Sequence, residues 1–220
     1  MKDSMLPCTL LLLTAAGLLC AGCSILGPLP DTSHFFTLAP LPDTVAPPGN
    51  TGTETSSTML LGLGPIELPP YLDRHEIATR LSPTQVTYSG SDRWAEPLNV
   101  SVSRVLLQNL SHLLGTERIA MYPWSNAAKV DYQIEVELLN FEVTKEGEAR
   151  LLARYGIFAG GSRRVLVARE ASINHPTPVD PAASVAALSA TLGELSQEIA
   201  AAIRQLPKPQ EAVVPGRRKS

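Results

Sequence analysis

The sequence predicts an α+β fold, a largely antiparallel β-sheet packed against two main amphipathic helices. Three observations predict it. Tyr132, Ile134, Val136 and Leu138 alternate with Gln133, Glu135 and Glu137, the pattern of a strand with one wet face. Leu98, Val102, Val105, Leu106, Leu110 and Leu113 recur at helical spacing. Val185, Leu188, Leu192, Leu195, Ile199, Ala202 and Leu206 step alternately by three and four, the apolar seam of a second helix.

The elements follow in chain order. His34 to Leu38 is a short strand candidate inside a stretch, Pro28 to Thr58, rich in Pro, Gly, Ser and Thr. Gly49 to Thr58 holds nothing apolar to bury and reads as a flexible loop. Met59 to Glu67 is strand-like and ends at Leu68-Pro69-Pro70. His75 to Arg80 and Gln85 to Ser89 flank Ser82-Pro83 as a hairpin. Glu96-Pro97 suits a helix start and Gly115 stands where a C-cap belongs, which bounds a helix over 98–114. Arg118 to Tyr122 is a short strand. The alternation that begins at Tyr132 slips phase at Leu139-Asn140 and resumes at Phe141 and Val143, the mark of a bulge. Lys145 to Glu148 turns the chain into a second long strand, Ala149 to Phe158. After Gly160-Gly161 a third runs from Arg164 to Ile173, and the final helix closes the chain.

The organisation is therefore a leader over 1–22, a linker over 23–58, a core over 59–206 and a basic tail over 207–220. A domain of about 150 residues buries close to 70% of its unfolded surface, enough to stand without disulfides. All three cysteines, at 8, 20 and 23, precede that core, so disulfide frameworks and cysteine chemistry are excluded there.

The leader reads as an export and anchoring device. Lys2 is a thin positive start, Leu10 to Leu19 an apolar run, and Ala21-Gly22 place small residues before Cys23. Leu19-Cys20-Ala21-Gly22-Cys23 resembles a bacterial lipobox, with Cys20 where an aliphatic residue is usual. The expected modification is a covalent diacylglycerol and an N-acyl lipid on Cys23, a permanent anchor, with no other cofactor. Ser24 fits transfer to the outer membrane. The competing readings are a retained membrane span over Leu6 to Leu26, weakened by Pro7, Gly17 and Gly22, and ordinary cleavage with full secretion. About 30 flexible linker residues would give the core an r.m.s. reach of roughly 30 Å.

Composition narrows the function. Lys and Arg number 18 against 21 Asp and Glu, a net charge of −3, which argues against the concentrated basic face of a nucleic-acid binder. Aromatic residues at 5% are too few for a base-stacking platform. An apolar share of 44% fits neither a polytopic membrane protein nor a disordered chain. The four histidines (34, 75, 112, 175) lack metal-ligand spacing, and Gly62-Leu63-Gly64 lacks the third glycine of a phosphate loop. Glu135 and Glu137 share a strand face, where solvated charge is the better reading than a catalytic pair. Arg150, Arg154, Arg163 and Arg164 are candidates for a basic patch on the strands, against the ordinary role of edge protection. With no nucleophile elbow and no catalytic or metal constellation, the sequence reads as a non-enzyme.

Polar and aromatic residues concentrate instead at three element ends. The first is Leu68-Pro69-Pro70-Tyr71-Leu72-Asp73-Arg74 with Arg80. The second is Asp92-Arg93-Trp94-Ala95-Glu96-Pro97, and the third is Tyr122-Pro123-Trp124. For Arg93 and Trp94 a buried indole clamped by the guanidinium stands beside a partner surface, since Trp, Tyr and Arg dominate interface hot spots.

These segments, with Phe35-Phe36-Thr37-Leu38, Gly64 to Arg74, Ile77 to Arg80, Arg104-Val105-Leu106 and Leu195 to Ala200, resemble the PqiC (YmbA-like) family of ABC-type transport auxiliary lipoproteins over essentially the whole chain. The resemblance implies an outer-membrane lipoprotein facing the periplasm, an accessory of MCE-type lipid transport that supports envelope integrity. Its implied partners are an MCE-domain tunnel protein, an inner-membrane transport component and further copies of itself as a homo-oligomer, with phospholipid as a candidate ligand. Tyr71, Asp73, Arg74, Arg80, Arg93, Trp94, Glu96 and Trp124 are the expected fold-critical or partner-contact residues. The rival classes are a lipid-binding carrier, which requires an apolar cavity between helix and sheet, and a stand-alone structural lipoprotein.

Overall fold

The computed structural model describes residues 31–42, 59–125 and 129–207. The leader with Cys23, the loop expected at 49–58 and the basic tail beyond Pro207 lie outside the described residues. The described residues from Ser33 onward form one compact unit.

Eight strands form one sheet: β1 (His34–Phe36), β2 (Leu61–Glu67), β3 (Glu76–Ser82), β4 (Gln85–Trp94), β5 (Ile119–Met121), β6 (Tyr132–Thr144), β7 (Glu148–Ala159) and β8 (Val165–Pro176). Two helices, α1 (Leu98–Leu114) and α2 (Pro181–Arg204), pack on it, and a short 3₁₀ turn spans Pro70–Leu72. The long ladders β6–β7 and β7–β8 and the hairpin β3–β4 are antiparallel. Four shorter pairings are parallel: β1 with β4, β2 with β5, and both β2 and β3 with β6. The sheet is thus mixed. The pairings of β2 with β5 and of β2 and β3 with β6 are parallel because α1 lies between the partners in the chain, and a helical crossover returns it in the same direction.

β6 is the spine. The expected bulge is present as a register shift between Leu138 and Asn140. Tyr132, Ile134, Val136 and Leu138 are buried before it, and Phe141 and Val143 after it. These residues meet Val102, Leu106 and Leu110 of α1 and Leu188, Leu192, Leu195 and Ile199 of α2 in a single core. Gly115 ends α1 at φ 63° and gives its N–H to carbonyls of the last turn. α2 starts earlier than its apolar seam suggests, because the Asp180 side chain accepts from the Ala183 N–H at 2.8 Å and Pro181 occupies the first helical turn.

The N-terminal strand departs most from the sequence reading. β1 pairs in register with the end of β4, Phe36 opposite Trp94. The segment after it crosses both helices as a strap. The Leu38 N–H donates to Ser101 Oγ (3.4 Å), the Ala39 N–H to Ser189 Oγ (3.1 Å) and the Leu41 N–H to Asn109 Oδ1 (2.8 Å). Leu38 is buried, and Leu41 lies so close to α2 that a Cβ on Gly193 would fall 2.6 Å from Leu41 Cδ2. A segment read as linker is therefore part of the folded unit, and Cys23 precedes that unit by only ten positions.

Candidate functional site

β2 and β3 lie along the same side of β6, one after the other. Glu67 sits opposite Glu137 and Thr79 opposite Val143, so the sheet is open between them along the bulged part of β6. Leu68 to His75 fills this gap. Pro69 and Pro70 cannot donate to a ladder and force the 3₁₀ turn, which delivers Tyr71 over the bulge.

Two of the sequence candidates, Tyr71 and Arg80, and one missed residue, Glu142, meet here. Tyr71 OH donates to Glu142 Oε2 at 2.6 Å, and Arg80 Nε donates to Glu142 Oε1 at 2.5 Å. The Phe141 N–H and Asn140 Nδ2 also reach the Glu142 carboxylate, each at 3.1 Å. The Glu142 side chain is fully buried and that of Arg80 is 18% exposed. Arg80 also stacks over the Tyr71 ring, and Arg74 sits 4.3 Å above the ring of Tyr88, whose hydroxyl donates to the Tyr71 carbonyl. Burial, and next the bond to the Glu142 carboxylate, pushes the Tyr71 hydroxyl well above the usual tyrosine range. With four donors the Glu142 carboxylate is saturated, so the cluster closes the sheet rather than offering a reactive group. Asp73 terminates the turn through its backbone N–H to Pro70, and Arg74 pairs with Glu76 at 3.2 Å.

Arg93 and Trp94 separate. Neighbours on a strand face opposite ways: Trp94 is 4% exposed in the helix-side core, while Arg93 lies beside Phe35 and Glu76 across the strands. The expected clamp of guanidinium on indole does not form, and the cation–ring contacts fall on Tyr71 and Tyr88 instead. Glu96 binds Arg104 at 2.6 Å, and Arg104 also reaches Thr37 Oγ1 (2.9 Å) and the Leu38 carbonyl (3.4 Å), tying the strap to α1. The bond from Arg104 leads the effects that hold the Glu96 carboxyl below the usual range.

Trp124 belongs to the open face of the sheet, away from the helices. Its ring lies over Gly62, where a Cβ would come within 2.7 Å, and Tyr122 covers Gly64 and meets Trp124 edge to face at 5.6 Å. On the same face a shallow groove of about 560 Å³ crosses β6, β7 and β8. Gly156 and Ala168 supply little side chain for its floor, and Pro65 and Phe158 line one flank. The other flank is Glu67, Glu137, Arg154 and Glu170, with Arg154 shared between Glu170 (3.2 Å) and Glu137 (4.0 Å). Three of the four arginines considered as a basic patch pair with carboxylates: Arg154 with Glu170, Arg150 with Glu148 (2.5 Å) and Arg163 with Glu135 (2.9 Å). Among the described residues no group of three His, Cys, Asp or Glu side chains is placed to hold a metal, and no helix is long and apolar enough to cross a membrane.

A family model described as the ABC-type transport auxiliary lipoprotein component matches residues 36–200. No curated protein matches the chain. Among solved structures, protein XCC0632 from Xanthomonas campestris is 18% identical, with a TM-score of 0.62 over 78% of this chain and 98% of its own. An uncharacterised protein is 16% identical with the same TM-score and coverage. At such identities the likeness concerns the fold.

Proposed function

The chain belongs to the family of ABC-type transport auxiliary lipoproteins, and from that premise we propose that it is an outer-membrane-anchored accessory of an MCE-type system that carries lipid between two membranes. Membership itself implies a transporter partner and a lipid-anchored envelope protein, and the family is not a known enzyme class. The finer reading is mechanical. Lipid on Cys23 holds the chain at the outer membrane, and copies of the core dock the end of the periplasmic tunnel protein, whose other end meets the inner-membrane component. Aligning that path with the leaflet supports envelope integrity.

One observation carries this reading over a lipid carrier. The layer between helices and sheet, where an acyl chain would lie, is filled: Leu106, Leu110, Ile134, Leu192, Leu195 and Ile199 are each 0% exposed. Ligand pockets for molecules of that size are usually enclosed and mostly apolar, on the order of 300 Å³ or more. The groove described above lies instead on the open face, flanked by carboxylates and an arginine. Such a surface suits a protein partner. The test is co-purification with an MCE-domain tunnel protein produced in the same cells. Binding that weakens when Glu137 and Glu170 are reversed to lysine supports docking through this face. Failure of the unaltered chain to co-purify overturns the proposal.

A further inference from the structure

We propose that Arg93 receives a carboxylate, an Asp or Glu side chain of the docked protein partner, with Phe35 as the apolar contact beside it. This rests on the reading that the open face of the sheet docks the tunnel protein. The fold gives most of the arginines and aromatic residues that stand out in the sequence a partner. Tyr71 and Arg80 hold Glu142, Arg74 holds Glu76, Trp94 fills the core and Trp124 packs on Tyr122. Arg93 differs. Its Nε is shielded from water, and nothing among the described residues accepts from it. Glu76 stands opposite it across β3 and β4, but the Glu76 carboxylate bonds to Arg74 at 3.2 Å. That carboxyl is held below its usual range first by its own backbone N–H, next by the bond from Arg74, and only through space by Arg93. A donor buried without an acceptor weakens an isolated chain, so packing alone does not account for an arginine at this position.

The surroundings suit a protein partner. Arg93 points away from the helices, because its neighbour Trp94 lies in the core. It therefore shares the face that carries the groove across β6–β8. The residue as a whole is partly exposed, so a group from outside can reach it. Phe35, opposite Arg93 across β1 and β4, is 63% exposed. Arg and aromatic side chains are prominent in interface hot spots, and the planar guanidinium fork matches a carboxylate with two parallel bonds. An anionic leaflet is the poorer occupant. Membrane-surface binding draws on clusters of about four to eight Lys and Arg, whereas here Glu76 offsets Arg74. A single guanidinium without an acceptor, beside one exposed ring, fits one acidic side chain and its apolar neighbour.

The test uses the full chain produced in cells together with the tunnel protein. A photoreactive benzophenone amino acid replaces Phe35, and irradiation traps whatever lies against it. The expected adduct joins position 35 to a segment of the tunnel protein with an Asp or Glu close to the trapped site. An adduct to phospholipid or to another copy of this chain overturns the proposal, and so does the absence of any adduct. Arg93→Met then separates binding from folding. Its Tm should stay within about 2 °C of the unaltered chain or rise, while affinity for the tunnel protein, read by biolayer interferometry, falls about tenfold or more. Arg118→Met, which removes an exposed arginine just ahead of β5, should change neither. Unchanged affinity in Arg93→Met, an equal fall in Arg118→Met, or a clearly lowered Tm in Arg93→Met each overturns the assignment. If the unaltered chain itself does not bind the tunnel protein, the docking reading fails and this inference with it, so the two failures are told apart.

Discussion

Replacing Arg80 by methionine removes the one positive charge that touches the buried Glu142 carboxylate. Tyr71, Asn140 and the Phe141 N–H remain as donors to that oxygen pair. Methionine keeps much of the apolar stem volume, so the loss reports charge rather than a cavity. Removing one partner of a buried pair costs about 3–5 kcal/mol. The remaining donors and the 18% exposure of the Arg80 side chain place the expected loss near the lower bound, about 3 kcal/mol. For a domain of this size that corresponds to a fall in Tm of about 6–12 °C. Adding Glu142→Gln to the same chain removes the stranded charge while an amide oxygen still accepts from Phe141. Half or more of the loss should return, a coupling of about 1.5 kcal/mol or greater. Urea unfolding of residues 24–220, followed by tryptophan fluorescence and circular dichroism, measures both. A loss below about 1 kcal/mol for the single variant, or a double variant as unstable as the two single losses added, refutes the view that this cluster closes the sheet.

Other outcomes follow from the same contacts. Because burial and the Glu142 carboxylate raise the Tyr71 hydroxyl, the unfolded chain loses this proton first as pH passes about 10. Stability should then fall by up to about 1.4 kcal/mol per pH unit from this group, and Tyr71→Phe should make the alkaline limb shallower; an unchanged slope contradicts the assignment. Glu96 runs the other way. Its depressed folded value gives a contribution present above the unfolded value of about 4.3 and lost as pH falls through the folded one. Glu96→Gln should flatten the acid limb of a stability–pH curve, and an identical limb counts against the Arg104 pairing. Asn109 is 1% exposed and serves both the Leu41 N–H and Ser196 Oγ. Asn109→Ala should cost about 1–3 kcal/mol and speed amide exchange at Leu38 to Leu41; unchanged exchange there argues that the strap is held by other contacts.

Local periodicity made most of the core legible. Both helices, the hairpin, the β6 bulge and Gly115 as a cap could be read because each depends on residues close in sequence. β1 was placed in a linker because a three-residue strand between proline-rich stretches carries no period, and its fixation comes from Ser101, Asn109 and Ser189, far along the chain. The parallel pairings of β2 and β3 with β5 and β6 were hidden for the same reason, since they depend on where α1 returns the chain. In the site, Tyr71 and Arg80 stood out by type, but their shared partner did not. Glu142 follows the bulge on what reads as the wet face, and only the turn at Pro70–Leu72 buries it. A carboxylate between Phe141 and Val143, just past a phase slip, was the available signal. Arg154 read as part of a patch because its acidic neighbours, Glu137 and Glu170, are supplied across the sheet.

The central claim is that the core docks a partner and does not carry lipid. Its most direct test is the solution mass of purified residues 24–220, taken together with mass spectrometry for bound lipid. The account predicts a discrete oligomer free of phospholipid. A monomer holding one phospholipid per chain would contradict it and make the protein a carrier.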